Sequence, residues 1–144
     1  MVVLIDDRLL RAVITDAEPS ALRRLRRGDP VYTTGHFYVR LCRAIASPSV
    51  AGVLSRSLDV MDDAERASFV AQLTELPADV GMLPLRELAW RIGQLAGEHR
   101  LNVLGLEVLA AAETLGATVC FAAGNEGPML LEAIENIGLG ARVL

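Results

Sequence analysis

Val2-Val3-Leu4-Ile5-Asp6-Asp7-Arg8-Leu9-Leu10 is the stretch whose reading decides the fold. Its apolar start, Val2–Ile5, does not alternate with polar residues. Such a run reads as a central strand of a parallel sheet, buried on both faces. The strand ends on Asp6, and open α/β sheets place their chemistry outside the carboxyl ends of their strands. Behind it, Leu9, Leu10 and Val13 fall on one face of a short helix over 7–14. Asp6 is therefore either one acid of a metal site or the cap of that helix.

The same alternation continues along the chain. Asp16-Ala17-Glu18-Pro19-Ser20 reads as a stop and restart, with Ser20 capping a helix over 21–27 that Gly28-Asp29-Pro30 ends. Val31–Thr33 is a second strand, followed by a helix from Thr34 or Gly35 through 46. After the break at Ser47-Pro48-Ser49, helices are expected over 50–58 and 64–76, the second capped by Asp62. Strands over 80–83, 117–121 and 141–144 are separated by helices over 84–98, 104–115 and 129–137, with Gly116 closing the middle one. The spacing predicts a three-layer α/β/α fold with a mostly parallel sheet of four or five strands, in one domain over 1–144.

Composition narrows the functional classes. Hydrophobic residues make up 52% of the 144, and the mean hydropathy is +0.37, so a packed core is expected rather than disorder. No apolar run is long enough to span a bilayer, and no basic segment precedes an apolar stretch at the start; a cytoplasmic protein without a membrane role is expected. Cys42 and Cys120 both lie in apolar stretches and read as reduced and buried. The net charge of −4 does not suit a general nucleic-acid binder. Lysine is absent, so every cation other than His is an arginine, which favours planar contacts with carboxylate or phosphate.

The second half carries Leu83-Pro84-Leu85, a helix ending in Glu98-His99-Arg100-Leu101-Asn102, and then Leu106-Glu107-Val108-Leu109-Ala110-Ala111-Ala112-Glu113-Thr114-Leu115-Gly116-Ala117-Thr118-Val119. Together with Leu4-Ile5-Asp6-Asp7-Arg8 and Val31-Tyr32-Thr33-Thr34, this resembles the PIN domains, small α/β nucleases of many bacterial toxin–antitoxin pairs. The resemblance implies a PIN-like fold over essentially the whole chain. It also implies three or four carboxylates around Mg²⁺ or Mn²⁺, since hard dications take oxygen ligands and activate water against a phosphodiester.

Carried over by position, the resemblance puts the first acid at Asp6, the second at Arg40, the third at Gly105 and the fourth near Ala123, with Asn125 and Glu126 close by. Only Asp6 is acidic among the four. Shifting the register does not repair the second position, because no Asp or Glu occurs between Asp29 and Asp59. A guanidinium near Asp6 competes with a metal: at ~4 Å and an effective dielectric of ~20 a charge pair is worth about 4 kcal/mol before desolvation. An Asp6–Arg40 contact is predicted where the family holds its metal. Glu107 stands two residues past Gly105, roughly 200° around a helix, and is expected to point elsewhere. Asp7 is expected to be solvated or to share the cap.

Four further features have two readings each. Arg23, Arg24, Arg26 and Arg27 form either a phosphate or acidic-partner site or a solvated face balanced by Asp16, Glu18 and Asp29. His36 is either a general base or, without a paired carboxylate, structural. The loop over 122–128 can present N–H groups to an anion but lacks P-loop spacing, and reads as a strand-to-helix turn. Val53, Leu54, Leu58, Phe69, Val70 and Leu73 either cover the core or form an interface with an antitoxin or a second copy.

The function expected from the sequence is a degenerate PIN-like domain. It has lost metal-dependent nuclease activity, holds no cofactor or metal, and acts through a homodimer or a protein partner such as an antitoxin-like or regulatory protein, with nucleic acid second. The alternative is an active Mg²⁺- or Mn²⁺-dependent ribonuclease that uses Asp6 with Asp7 or Glu126.

Overall fold

The computed structural model describes residues 1–46 and 61–144. The helix expected over 50–58, and with it Val53, Leu54 and Leu58, lies outside the described residues. Five strands form one parallel sheet: β1 (Val3–Ile5), β2 (Val31–Thr33), β3 (Val80–Met82), β4 (Thr118–Phe121) and β5 (Ala141–Val143), in the order β3-β2-β1-β4-β5. The helices are α1 (Asp7–Ile14), α2 (Ser20–Arg26), α3 (Gly35–Ala46), α4 (Asp63–Thr74), α5 (Leu85–Glu98), α6 (Val103–Leu115) and α7 (Pro128–Asn136). The α/β class and the parallel sheet are as the spacing predicted.

Strand periodicity sorts the core into two layers. Leu4, Val119 and Phe121 face α5, α6 and α7 through Leu88, Leu95, Leu109 and Ile134. Val3, Ile5, Val31 and Cys120 face the other way, onto Leu9 and Leu10 of α1, Leu22 of α2, Leu41 of α3, and Phe69 and Leu73 of α4. Phe69 and Leu73 thus serve the core. Cys120 is fully buried, Cys42 partly so, and both are free thiols; burial pushes the Cys120 thiol up to about 11.

Local signals explain most boundaries. Asp62 caps α4 in a reciprocal box with Glu65 (Glu65 N–H to Asp62 Oδ1, 2.7 Å; Asp62 N–H to Glu65 Oε2, 3.1 Å). Gly116 ends α6 at φ +59°, the left-handed conformation glycine adopts freely. Gly81 of β3 lies opposite Tyr32 of β2, and a Cβ there would sit 2.5 Å from the Tyr32 ring, so the glycine gives that ring its place across the strand pair. Ser20 is not the cap of α2: Pro19 holds that position, and Ser20 is the first helical residue with no capping bond. Among the described residues, no helix is long and apolar enough to cross a membrane.

The topology also locates a site. The chain builds outward from β1 through β2 to β3, then crosses to β4 and β5 on the other flank. The crevice at the carboxyl ends of β1 and β4 is the switch point where open sheets of this kind bind ligands.

Candidate functional site

Two consecutive acids leave β1 at this switch point, and both are fully buried. Asp6 is the N-cap of α1: its Oδ1 accepts from the Leu9 N–H at 2.8 Å, satisfying one of the free donors of the first turn. Its Oδ2 accepts from the Ala122 N–H at 2.9 Å and from the Asn125 side-chain amide, both in the loop after β4. Burial pushes the Asp6 carboxyl above its usual range, opposed by Asn125 and by the Leu9 and Ala122 N–H groups.

Arg40 does not meet Asp6. Its guanidinium grips Asp7 instead, Nε to Oδ2 at 2.7 Å and Nη2 to Oδ1 at 3.0 Å, a fork-on-carboxylate pair. The reason is helical geometry. Asp6 as the cap turns back onto the first turn and the β4 loop, which leaves Asp7, the first helical residue, to face α3. Asp7 is therefore neither solvated nor part of the cap. Asn125 joins the two halves: its Nδ2 also donates to Asp7 Oδ1 at 2.9 Å, and its Oδ1 accepts from Arg40 Nη2 at 2.9 Å.

Glu107 forms a second buried centre. From α6 it accepts the Gly35 N–H (3.0 Å) and the His36 N–H (2.9 Å) at the start of α3, and faces His36 Nδ1 at 2.7 Å. A carboxylate here matches the positive end of the α3 dipole. His36 thus has a paired carboxylate, which orients the ring and leaves Nε2 as its outer nitrogen. Thr34 Oγ1 completes this helix start by accepting from the Phe37 N–H.

The remaining positions divide. Gly105 lines the same cavity as Arg40 and Asn125. A Cβ at Gly105 would press to 3.3 Å from Leu101, so a larger residue would crowd the start of α6. Ala123 is exposed and contributes its carbonyl to Arg8 Nη1 at 3.3 Å. Glu126 has a buried Oε2 with no hydrogen-bond partner among the described residues. The arginine cluster is split: Arg26 clamps Glu18 (2.7 and 3.1 Å), the Asp29 carbonyl and Asp79, while Arg23 touches Glu18 at 3.6 Å. Arg26 is thereby tied into the loops around β2 and β3, and Arg24 and Arg27 are exposed. Among the described residues, no three His, Cys, Asp or Glu side chains gather as a metal-holding group.

What this site does chemically is satisfy itself. Asp6 already accepts from two backbone N–H groups and Asn125, and Asp7 from Arg40 and Asn125. Asp6→Asn is expected to destabilise the fold by about 1–3 kcal/mol, because its amide group would face the donors Ala122 and Asn125. The loss should grow as pH falls from neutrality toward the carboxylate range. The folded-state pKa of Asp6 lies above its unfolded value, so the native wild type takes up a proton first and gains stability that the variant cannot. Urea melts of both proteins at pH 7 and at the most acidic pH where both stay folded check the sign, and a difference that shrinks toward acid would refute it.

No family model matches the chain, and no curated protein matches it.

Proposed function

We propose that this chain is a PIN-like domain whose metal-binding edge has been rebuilt as a closed Asp–Asn–Arg network, and that it works in the cytoplasm by protein binding, including self-association, rather than by metal-dependent cleavage of RNA. One observation carries the reading: Asp6 and Asp7 are buried and held by Asn125, Arg40 and two backbone N–H groups. A dication entering there would have to displace a guanidinium and strip those bonds, in a pocket where it would find few carboxylate lone pairs free. Supporting the likeness, two of the four positions carried over from the family, Arg40 and Gly105, line one cavity together with Asn125, which is close to the fourth, and Asn125 bonds the Asp6 carboxylate. The net charge of −4 makes a protein a better partner than nucleic acid.

A second reading, a Mg²⁺- or Mn²⁺-dependent ribonuclease using Asp6 with Asp7 or Glu126, is favoured by the buried Oε2 of Glu126, the residue after Asn125, which has no hydrogen-bond partner among the described residues. Incubation of the purified protein with single-stranded RNA in Mn²⁺ decides between them. The expected result is no cleavage above the level of Asp6→Asn; cleavage that Asp6→Asn abolishes would establish the ribonuclease. Light scattering on the same preparation should return the mass of a dimer, and a monomer at high concentration would leave a heterologous partner as the binding role.

A further inference from the structure

Beside the closed network, at the carboxyl end of β4, lies a cavity of about 360 Å³, within the ~300–1,000 Å³ typical of small-molecule sites. Its polar lining is cationic or amide: Arg40, Arg100, Asn102 and Asn125, with no carboxylate on its walls. Its apolar lining includes Phe37 and Phe121.

Several donors in this lining remain open. Arg40 bonds Asp7 and Asn125 through Nε and Nη2, and its Nη1 makes no hydrogen bond among the described residues. Arg100 is exposed beyond the end of α5. The wall at Gly127–Leu130 is the start of α7, which has no side-chain cap. Pro128 lacks an N–H, and Leu131 bonds back to the Gly127 carbonyl, so the donors of that turn without a partner among the described residues are the Met129 and Leu130 N–H groups. Arg100, the outer nitrogen of Arg40 (whose charge is otherwise met by Asp7) and an uncapped helix start line the same cavity, and such donors suit a compact anion. The apolar walls suit a ligand with more than the anion alone.

We propose that this cavity binds a small phosphate monoester carrying an apolar body, with no metal ion, through Arg100, Arg40 Nη1 and the first turn of α7. The assignment rests on the metal-free reading of the adjacent network. It exchanges the charge preference of that sheet edge from cation to anion.

Calorimetric titration of the full chain with adenosine 5′-monophosphate in EDTA tests it, with inorganic phosphate and adenosine as parallel probes. Saturable binding of the monophosphate, weaker binding of phosphate and none of adenosine are expected. Arg100→Ala, at an exposed position, should weaken the monophosphate at least tenfold while leaving the melting temperature unchanged. Adenosine binding as well as its monophosphate, or an Arg100→Ala variant of unchanged affinity, would overturn the phosphate site. Binding that appears only when Mn²⁺ replaces EDTA would overturn the metal-free reading beneath it. Binding in neither buffer would overturn this proposal and leave that reading standing.

Discussion

Replacing Arg40 with alanine is expected to lower stability by about 3 kcal/mol, roughly a 10 °C fall in melting temperature for a chain of this size. The Asp7 carboxylate is fully buried and would keep Asn125 as its remaining side-chain partner. Breaking a buried pair by removing one partner typically costs ~3–5 kcal/mol, because the other charge is left uncompensated. Arg40 itself is 40% exposed, so water can enter where it stood, which puts the loss at the low end. Its removal also takes the donor from Asn125 Oδ1. The double variant Arg40→Ala, Asp7→Asn should recover about half of the loss, since it removes the stranded charge. Urea melts of the three variants measure this coupling. A single-variant loss under about 0.5 kcal/mol would mean that the pair contributes nothing to the fold.

Glu107→Ala should be comparably damaging, at about 3 kcal/mol, through a different mechanism. Its carboxylate accepts two main-chain donors at the start of α3 and meets the His36 ring, all from a side chain only 1% exposed. Truncation leaves those donors without their acceptor and opens a cavity between α6 and the start of α3. Glu107→Gln retains one acceptor oxygen and should lose distinctly less. Hydrogen exchange gives a local readout: the Gly35 and His36 amides should lose protection in the alanine variant beyond what the global loss explains. Unchanged protection there would mean that Glu107 does not hold the start of α3.

The fold was legible because its signals are local. The unbroken apolar run at Val3–Ile5, the Asp62 box and the terminal Gly116 each determine an element without reference to distant residues. Ser20 shows the limit: Pro19 and Ser20 are both plausible helix starts, and a one-residue shift changes which of them caps. The site was legible only in part. Position along α3 brought Arg40 to the correct end of the sheet, but whether it met Asp6 or Asp7 depended on how Asp6 used its own lone pairs. Once Asp6 caps α1, its neighbour must face elsewhere. Glu107 leaves a clear trace in the sequence. It is the sole charge in the apolar run from Leu101-Asn102-Val103 to Ala112, and a charge in so buried a helix needs a partner inside the protein. That partner, the start of α3, is 71 residues away in sequence, and no periodicity reports it.

The His36–Glu107 pair and the Asp7–Arg40 pair share α3, with His36 and Arg40 one turn apart on the same helix. This helix therefore fixes the edge of the sheet from two sides, through buried acids supplied by α1 and α6. Such an arrangement leaves these carboxylates engaged by protein donors.

The most direct test of that account is calorimetric titration of the wild-type protein with Mn²⁺ at pH 7. The account predicts no saturable heat, since the carboxylates of Asp6 and Asp7 are already engaged. Saturable binding of one or two ions per chain, abolished by Asp6→Asn, would contradict it.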